Sequence, residues 1–259
     1  VKGSDGFGRL TLIAMNKEGY KNLLELLSLG WLKGQKGDYA LLEWEWVVEH
    51  SAGIICLTGA TEGEIGRLVA TGQIDKADAV LDKYHAVFAD RLYVELTRVG
   101  LSGETALAHY AVQSADQRLI PLVATNVACF QEADDFEAHE TRVCIHDSVT
   151  LDDQRRLHRH TPEQWLKPQD AMVELFFDLP DAVANTVQIA KRCGVELMLG
   201  SYFLPEYPVP EGMTLDELFR QYSHDGLRDR LQAAKSYGRT LDELAYRERL
   251  VFEVVRDFT

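Results

Sequence analysis

Two rhythms of apolar residues alternate along the first half of the chain. Short runs of branched and aromatic residues at 9–14 (RLTLIA), 53–57 (GIICL), 91–97 (RLYVELT) and 120–124 (IPLVA) have the length and composition of buried strands. Between them the spacing lengthens to that of helices. Tyr20, Leu23, Leu24 and Leu27 fall on one helical face behind Asn16, a plausible N-cap, and residues 43–49 place Trp44 and Trp46 in a short helix. Ile74, Ala77, Leu81, Tyr84 and Phe88 mark a long amphipathic helix, and residues 104–115 another. The Gly- and Lys-rich stretch 30–38 reads as a loop. Strands alternating with helices predict an α/β fold, with a parallel sheet or an α/β barrel.

After residue 125 the pattern turns mainly helical. Thr161, Pro162 and Gln164 form a capping signature ahead of Trp165, and Pro180 opens a helix that Gly194 can close. A proline-punctuated linker, residues 204–210 (LPEYPVP), separates this region from two further capping boxes, Thr214 with Glu217 and Thr240 with Glu243. The expected division is therefore a domain over residues 1–204 and a helical segment over 205–259. No internal repeat or low-complexity tract is visible.

Charge and cysteine content narrow the function classes. A formal net charge of −14, from 27 basic and 41 acidic residues, disfavours a free-standing DNA-wrapping module. No apolar run is long enough for a bilayer span, so no membrane partner is expected. Cys56, Cys129, Cys144 and Cys193 form no CxxC pair, which fits a reducing cytoplasm better than a disulfide framework. The sequence begins at Val1 without a Met, as expected of a fragment.

Candidate chemistry concentrates in residues 120–153. The strand at 120–123 breaks at Ala124-Thr125-Asn126, and an acidic stretch with His139 and His146 follows. In α/β barrels, strand ends and the loops after them carry the chemistry. The two histidines lie seven apart, about two helical turns, but a pair falls short of the three or four ligands a metal site needs. Glu132, Asp134, Asp135, Glu137 and Glu140 lack the spacing of a calcium loop and read as a solvated helix face. Cys129 has no base supplied by a recognisable signature and reads as inert. Arg155, Arg156 and Arg159, with His158 and His160, make the most basic local run, a candidate contact for phosphate or an acidic partner. There is no Walker loop, dinucleotide fingerprint or nucleophile elbow.

Several stretches resemble the alpha subunit of bacterial DNA polymerase III, a replicative C-family polymerase, in its PHP (polymerase and histidinol phosphatase) domain. They are residues 10–23 (LTLIAMNKEGYKNL), 121–126 (PLVATN), 139–153 (HETRVCIHDSVTLDD) and 185–205 (NTVQIAKRCGVELMLGSYFLP). The resemblance implies a PHP-type distorted (β/α) barrel, incomplete at its N-terminus, followed by the helical start of the polymerase body. In metal-bearing members, histidines and carboxylates at strand ends hold a metal cluster that supports phosphoester hydrolysis. Here Arg9 stands where a ligand His would open LTLIA, Val127 where an Asp would stand, and Cys129 in place of a His; Glu95 matches an acidic position. The resemblance thus implies a vestigial metal pocket of Arg9, Glu95, Val127 and Cys129 at one mouth of the sheet, with no metal, no cofactor and no catalytic residue in this chain. It further implies a bacterial cytoplasmic parent that synthesises DNA with magnesium on a primer-template. The chain's part would be a scaffold for the proofreading exonuclease (epsilon) subunit and other replicase subunits. The alternative is a metal-dependent PHP-type phosphoesterase.

Overall fold

A computed structural model describes residues 1–3, 6–153, 155–197, 199–202 and 206–238. The chain divides into two compact units, Val1–Leu197 and Met198–Thr259. The expected boundary at Pro205 and the capping box of Thr240 and Glu243 lie outside the described residues.

The first unit opens with a small antiparallel ribbon, β1 (Lys2–Gly3) and β2 (Gly6–Phe7). There follow β3 (Thr11–Ala14), α1 (Lys17–Lys33), a hairpin of β4 (Gln35–Lys36) and β5 (Tyr39–Ala40), and α2 (Trp44–Glu49). The remaining strands are β6 (Ile54–Leu57), β7 (Leu92–Leu96) and β8 (Leu122–Ala124). Helices α3 (Glu64–Ala70) and α4 (Ile74–Phe88) join β6 to β7, and α5 (Glu104–Arg118) joins β7 to β8. Beyond β8 come α6 (Phe136–Asp147), α7 (Gln169–Leu175) and α8 (Pro180–Arg192).

The main sheet runs β3-β6-β7-β8, with β6, β7 and β8 parallel. Every residue of β6 and β7 is buried, as their unbroken apolar runs demand of strands covered on both faces. Ile54, Cys56, Leu92, Val94 and Leu96 pack into the larger core with Leu81, Tyr84 and Phe88 of α4 and Leu107 of α5. Ile55, Leu57, Tyr93 and Val123 face the other way, against Ile13 and, on α8, Ile189.

Strand β3 departs from the expected all-parallel sheet: it pairs antiparallel with β6, in the register Thr11 to Leu57 and Ala14 to Ile54. The cause lies in the connection. Helix α1 leaves the end of β3, and the hairpin and α2 bring the chain back to that same end. There Met15 N–H donates to Gly53 O at 2.8 Å. A strand entered from that side must run opposite to its neighbour.

Four other expectations are corrected. Residues 30–38 are not a loop: α1 continues to Lys33, because Gly30 is buried and lets the helix approach Ala40 and Leu42. The inner face of α1 is built on Gly19, Leu26 and Gly30, so Tyr20, Leu24, Leu27 and Trp31 remain exposed. Thr161 and Gln164 form a turn but no helix. Thr161 N–H donates to Gln164 Oε1 at 2.9 Å, while the Gln164 carbonyl is taken by Cys129 N–H at 2.7 Å. Pro180 does open α8, but Cys193 caps it in extended conformation, and Gly194 N–H goes to Met15 O at 2.9 Å.

In the second unit α9 (Leu215–Ser236) starts at Thr214 with the expected capping box. Thr214 N–H donates to Glu217 Oε2 at 2.8 Å, and Glu217 N–H to Thr214 Oγ1 at 3.3 Å.

The entry to β6 depends on a backbone contact that only glycine permits. A Cβ on Gly19 would lie 1.9 Å from Gly53 O, and Gly53 itself sits at φ +67°. Gly19→Ala is therefore expected to destabilise the fold by about 2 kcal/mol or more through forced backbone movement, despite alanine's better helix propensity. Gly226→Ala on α9, where nothing lies within 4 Å of the new Cβ, should instead leave stability unchanged or raise it by up to ~1 kcal/mol. Urea denaturation of the two variants checks the opposite signs.

Candidate functional site

The parallel strands end on a tightly bonded floor. Glu95, near the end of β7 and 8% exposed, accepts from Thr125 Oγ1 at 2.7 Å through one oxygen and from Gly59 N–H at 3.0 Å through the other. Its own N–H donates to Thr58 Oγ1 at 3.0 Å. Thr125 follows β8 directly and donates its N–H to Leu96 O at 2.9 Å. Because β3 runs antiparallel, Arg9 just before it reaches this same end. Gly59, at φ +82°, passes so close that a Cβ there would lie 2.2 Å from Arg9 O.

Arg9 N–H donates to Glu62 O at 3.1 Å, and its guanidinium pairs with the Glu62 carboxylate. Both side chains are largely exposed, so the pair adds little stability, but it fixes a cation at the rim. Glu62 also acts on Cys129: burial first, and this carboxylate second, push the Cys129 thiol above its ordinary range. The structure thus brings Arg9, Glu95 and the loop from Thr125 to Cys129 to one end of the sheet. Val127 is partly exposed, and its carbonyl faces Gln164 Nε2 at 3.5 Å. These residues do not fit the metal cluster that a PHP-type site implies. Val127 has no donor side chain, Arg9 is a cation, and both oxygens of Glu95 are engaged by structural donors.

The basic run is neutralised within the chain. Arg155 pairs with Asp153 at 2.8 Å, and Arg159 with Asp147 at 2.8 Å. Arg156 turns inward to Glu140, with side-chain exposures of 12% and 5%. What reads in sequence as a contact patch is two surface pairs around one buried pair.

The histidines also regroup. His146 is exposed and bonds to Asp147, whereas His139, on the inner side of α6, faces His160 with ring centroids 4.5 Å apart in a T-shaped arrangement. His160 arrives because residues 164–166 pair in parallel with residues 129–131, through the Phe130–Trp165 bridge and Leu166 N–H to Phe130 O at 3.0 Å. Cys129 Sγ and one nitrogen of each histidine all lie within 4.8 Å of one another. Burial, then His160 and Arg142, hold the His139 imidazole below its usual range. Sequence reading placed His160 in the basic run and missed its grouping with His139: it lies in a segment without periodicity, and the pairing of Trp165 with Phe130 brings it close.

Removing one partner of a buried ion pair strands the other. Arg156→Leu is expected to cost about 3–5 kcal/mol by leaving Glu140 buried and unpaired, whereas Arg155→Leu should change stability by less than ~0.5 kcal/mol. Equilibrium unfolding of both variants separates a structural arginine from a solvated one.

Residues 2–99 match the PHP domain family. Over 258 residues, 98% of this chain, the sequence is 46% identical to the DNA polymerase III subunit alpha of Pseudomonas fluorescens, of which it covers 22%. It is 48% identical over 224 residues to that of Pseudomonas aeruginosa, covering 86% of this chain and 19% of the relative. It is 40% identical over 227 residues to that of Escherichia coli K12, covering 88% and 20%. The chain spans about a fifth of the length of these relatives. By sequence it belongs to the DNA polymerase III alpha-subunit family and carries that family's PHP domain.

Proposed function

We propose that this chain is a non-polymerising PHP scaffold within a bacterial replicative DNA polymerase, and that it docks the proofreading exonuclease (epsilon) subunit. The protein that carries it synthesises DNA on a primer-template with magnesium, in the bacterial cytoplasm, in company with other replicase subunits. Residues 1–204 form the PHP domain, a distorted barrel to which β6, β7 and β8 contribute consecutive parallel strands. Residues 205–259 begin the polymerase body. Among the described residues no helix is long and apolar enough to cross a membrane, in keeping with that setting.

One observation carries the scaffold reading over the phosphoesterase alternative. At the strand ends, where a hydrolytic cluster would need free ligands, Glu95 is bound by Gly59 and Thr125, and Arg9 by Glu62. A site closed by its own hydrogen bonds preserves the fold and gives up metal-assisted hydrolysis.

The test uses the polymerase polypeptide that carries this chain. It should hold the exonuclease subunit through gel filtration, and removal of residues 1–197 should abolish that while primer extension persists. It should also hydrolyse phosphomonoesters no faster than buffer in the presence of manganese or zinc. Measurable turnover, lost in Glu95→Gln, would establish the phosphoesterase instead.

A further inference from the structure

The strand-end floor holds no usable ligand set, yet one of its residues takes part in a second grouping nearby. Cys129 Sγ and one ring nitrogen each from His139 and His160 lie mutually within 4.8 Å, and all three residues are half-buried. A thiolate and two imidazoles are the donor set of a borderline-soft d10 ion, unlike the carboxylates and waters that magnesium prefers.

Unpartnered atoms point the same way. Both ring nitrogens of His139, and Nδ1 of His160, are buried with no hydrogen-bond partner among the described residues. Stranding a buried polar atom costs about 1–3 kcal/mol, so unpartnered nitrogens on two rings that each bring a nitrogen within 4.8 Å of Cys129 Sγ need an explanation. Packing alone does not provide one, because a phenylalanine would fill the same volume as His139, against Phe130, without the penalty.

We propose that Cys129, His139 and His160 bind a single zinc ion, which staples the loop after β8, helix α6 and the segment leading to Trp165. With bonds of about 2.0–2.3 Å, ligand atoms of a tetrahedral site sit roughly 3.5 Å apart, so rotation of these side chains within the present backbone closes it. Glu140 supplies the outer-shell carboxylate. Its Oε1, itself without a hydrogen bond, lies 3.4 Å from His160 Nδ1, and aligning the two fixes the tautomer and leaves the other ring nitrogen as a lone pair. Binding releases the Cys129 thiol proton to solvent. Arg142 opposes the ion, whereas the Arg156–Glu140 and Arg9–Glu62 pairs nearby are each neutral. Three protein ligands leave one coordination position for water.

The experiment titrates the metal-depleted chain with cobalt(II) and then displaces cobalt with zinc. Expected are saturation at one ion per chain and a near-ultraviolet thiolate-to-cobalt charge-transfer band. The band should vanish in Cys129→Ser and persist in Cys144→Ser. Loss of an outer-shell partner alone weakens metal binding by about 10–100-fold, so His139→Gln and His160→Gln should weaken zinc by more than about a hundredfold. His146→Gln, at an exposed position, should not. Zinc should raise the melting temperature of the wild type but not of Cys129→Ser, and circular dichroism of each metal-free variant controls for folding. A band that survives Cys129→Ser, histidine variants that are folded yet bind like wild type, or the lack of saturable binding at one ion per chain would each overturn the site.

Discussion

The arrangement of this end of the sheet depends on one buried carboxylate. Glu95 lies on the middle of the three parallel strands and takes one hydrogen bond from each side: Gly59 N–H after β6 and Thr125 hydroxyl after β8. Hydrogen bonds to an ionised acceptor are roughly twice as strong as neutral ones, and a buried carboxylate without them would be costly. The loops leaving β6 and β8 are therefore held where Glu95 needs them. Everything at that mouth follows: the left-handed turn at Gly59, the close pass of Arg9, the Arg9–Glu62 pair and the placement of Cys129. A residue that could have served as a ligand serves instead as the tie between strands.

The same loop gives the region beyond β8 its order. Residues 129–131 pair with 164–166, so a segment with little regular structure of its own is fastened to the sheet through the loop after β8. Under that bridge lie the two histidines, Cys129 and the buried Glu140–Arg156 pair. Polar groups so enclosed specify geometry only when each is satisfied. The ion pair meets that condition in part, since Glu140 Oε1 and Arg156 Nε have no hydrogen-bond partner among the described residues, and an ion would engage one nitrogen of each imidazole.

Much of the fold was legible in the chain, for identifiable reasons. β6, β7 and β8 announce themselves as unbroken apolar runs, and α4 shows its inner face through Ala77, Leu81, Tyr84 and Phe88. Local periodicity carries that information. It does not carry the direction of β3, which is set by the return of α2 to the point where Met15 meets Gly53. Nor does it reveal that α1 packs through its glycines, since hydrophobicity ranks Leu24 and Leu27 above Gly19 and Gly30. At the site, Arg9, Val127 and Cys129 could be picked out by residue type alone. The pairing of His139 with His160 could not, because a long-range strand-like bridge creates it, and the inward turn of Arg156 was hidden among similar residues that stay outside.

The two edges of the main sheet are finished differently. Beside β8, the side chain of Asn185 on α8 donates to Leu122 O at 2.8 Å, so the backbone there is capped by a packed helix. β3 has no matching side-chain cap among the described residues, and Thr11 is exposed. Amide hydrogens of β3 that point away from β6 have no further strand beside them among the described residues, whereas those of β6 and β7 lie inside a fully buried ladder. Local opening of a few residues releases the former; only global unfolding releases the latter. The sheet thus contains two clocks, a fast one at its antiparallel margin and a slow one at its centre. Deuterium uptake at the fast edge would slow only when another segment of backbone comes to lie along it.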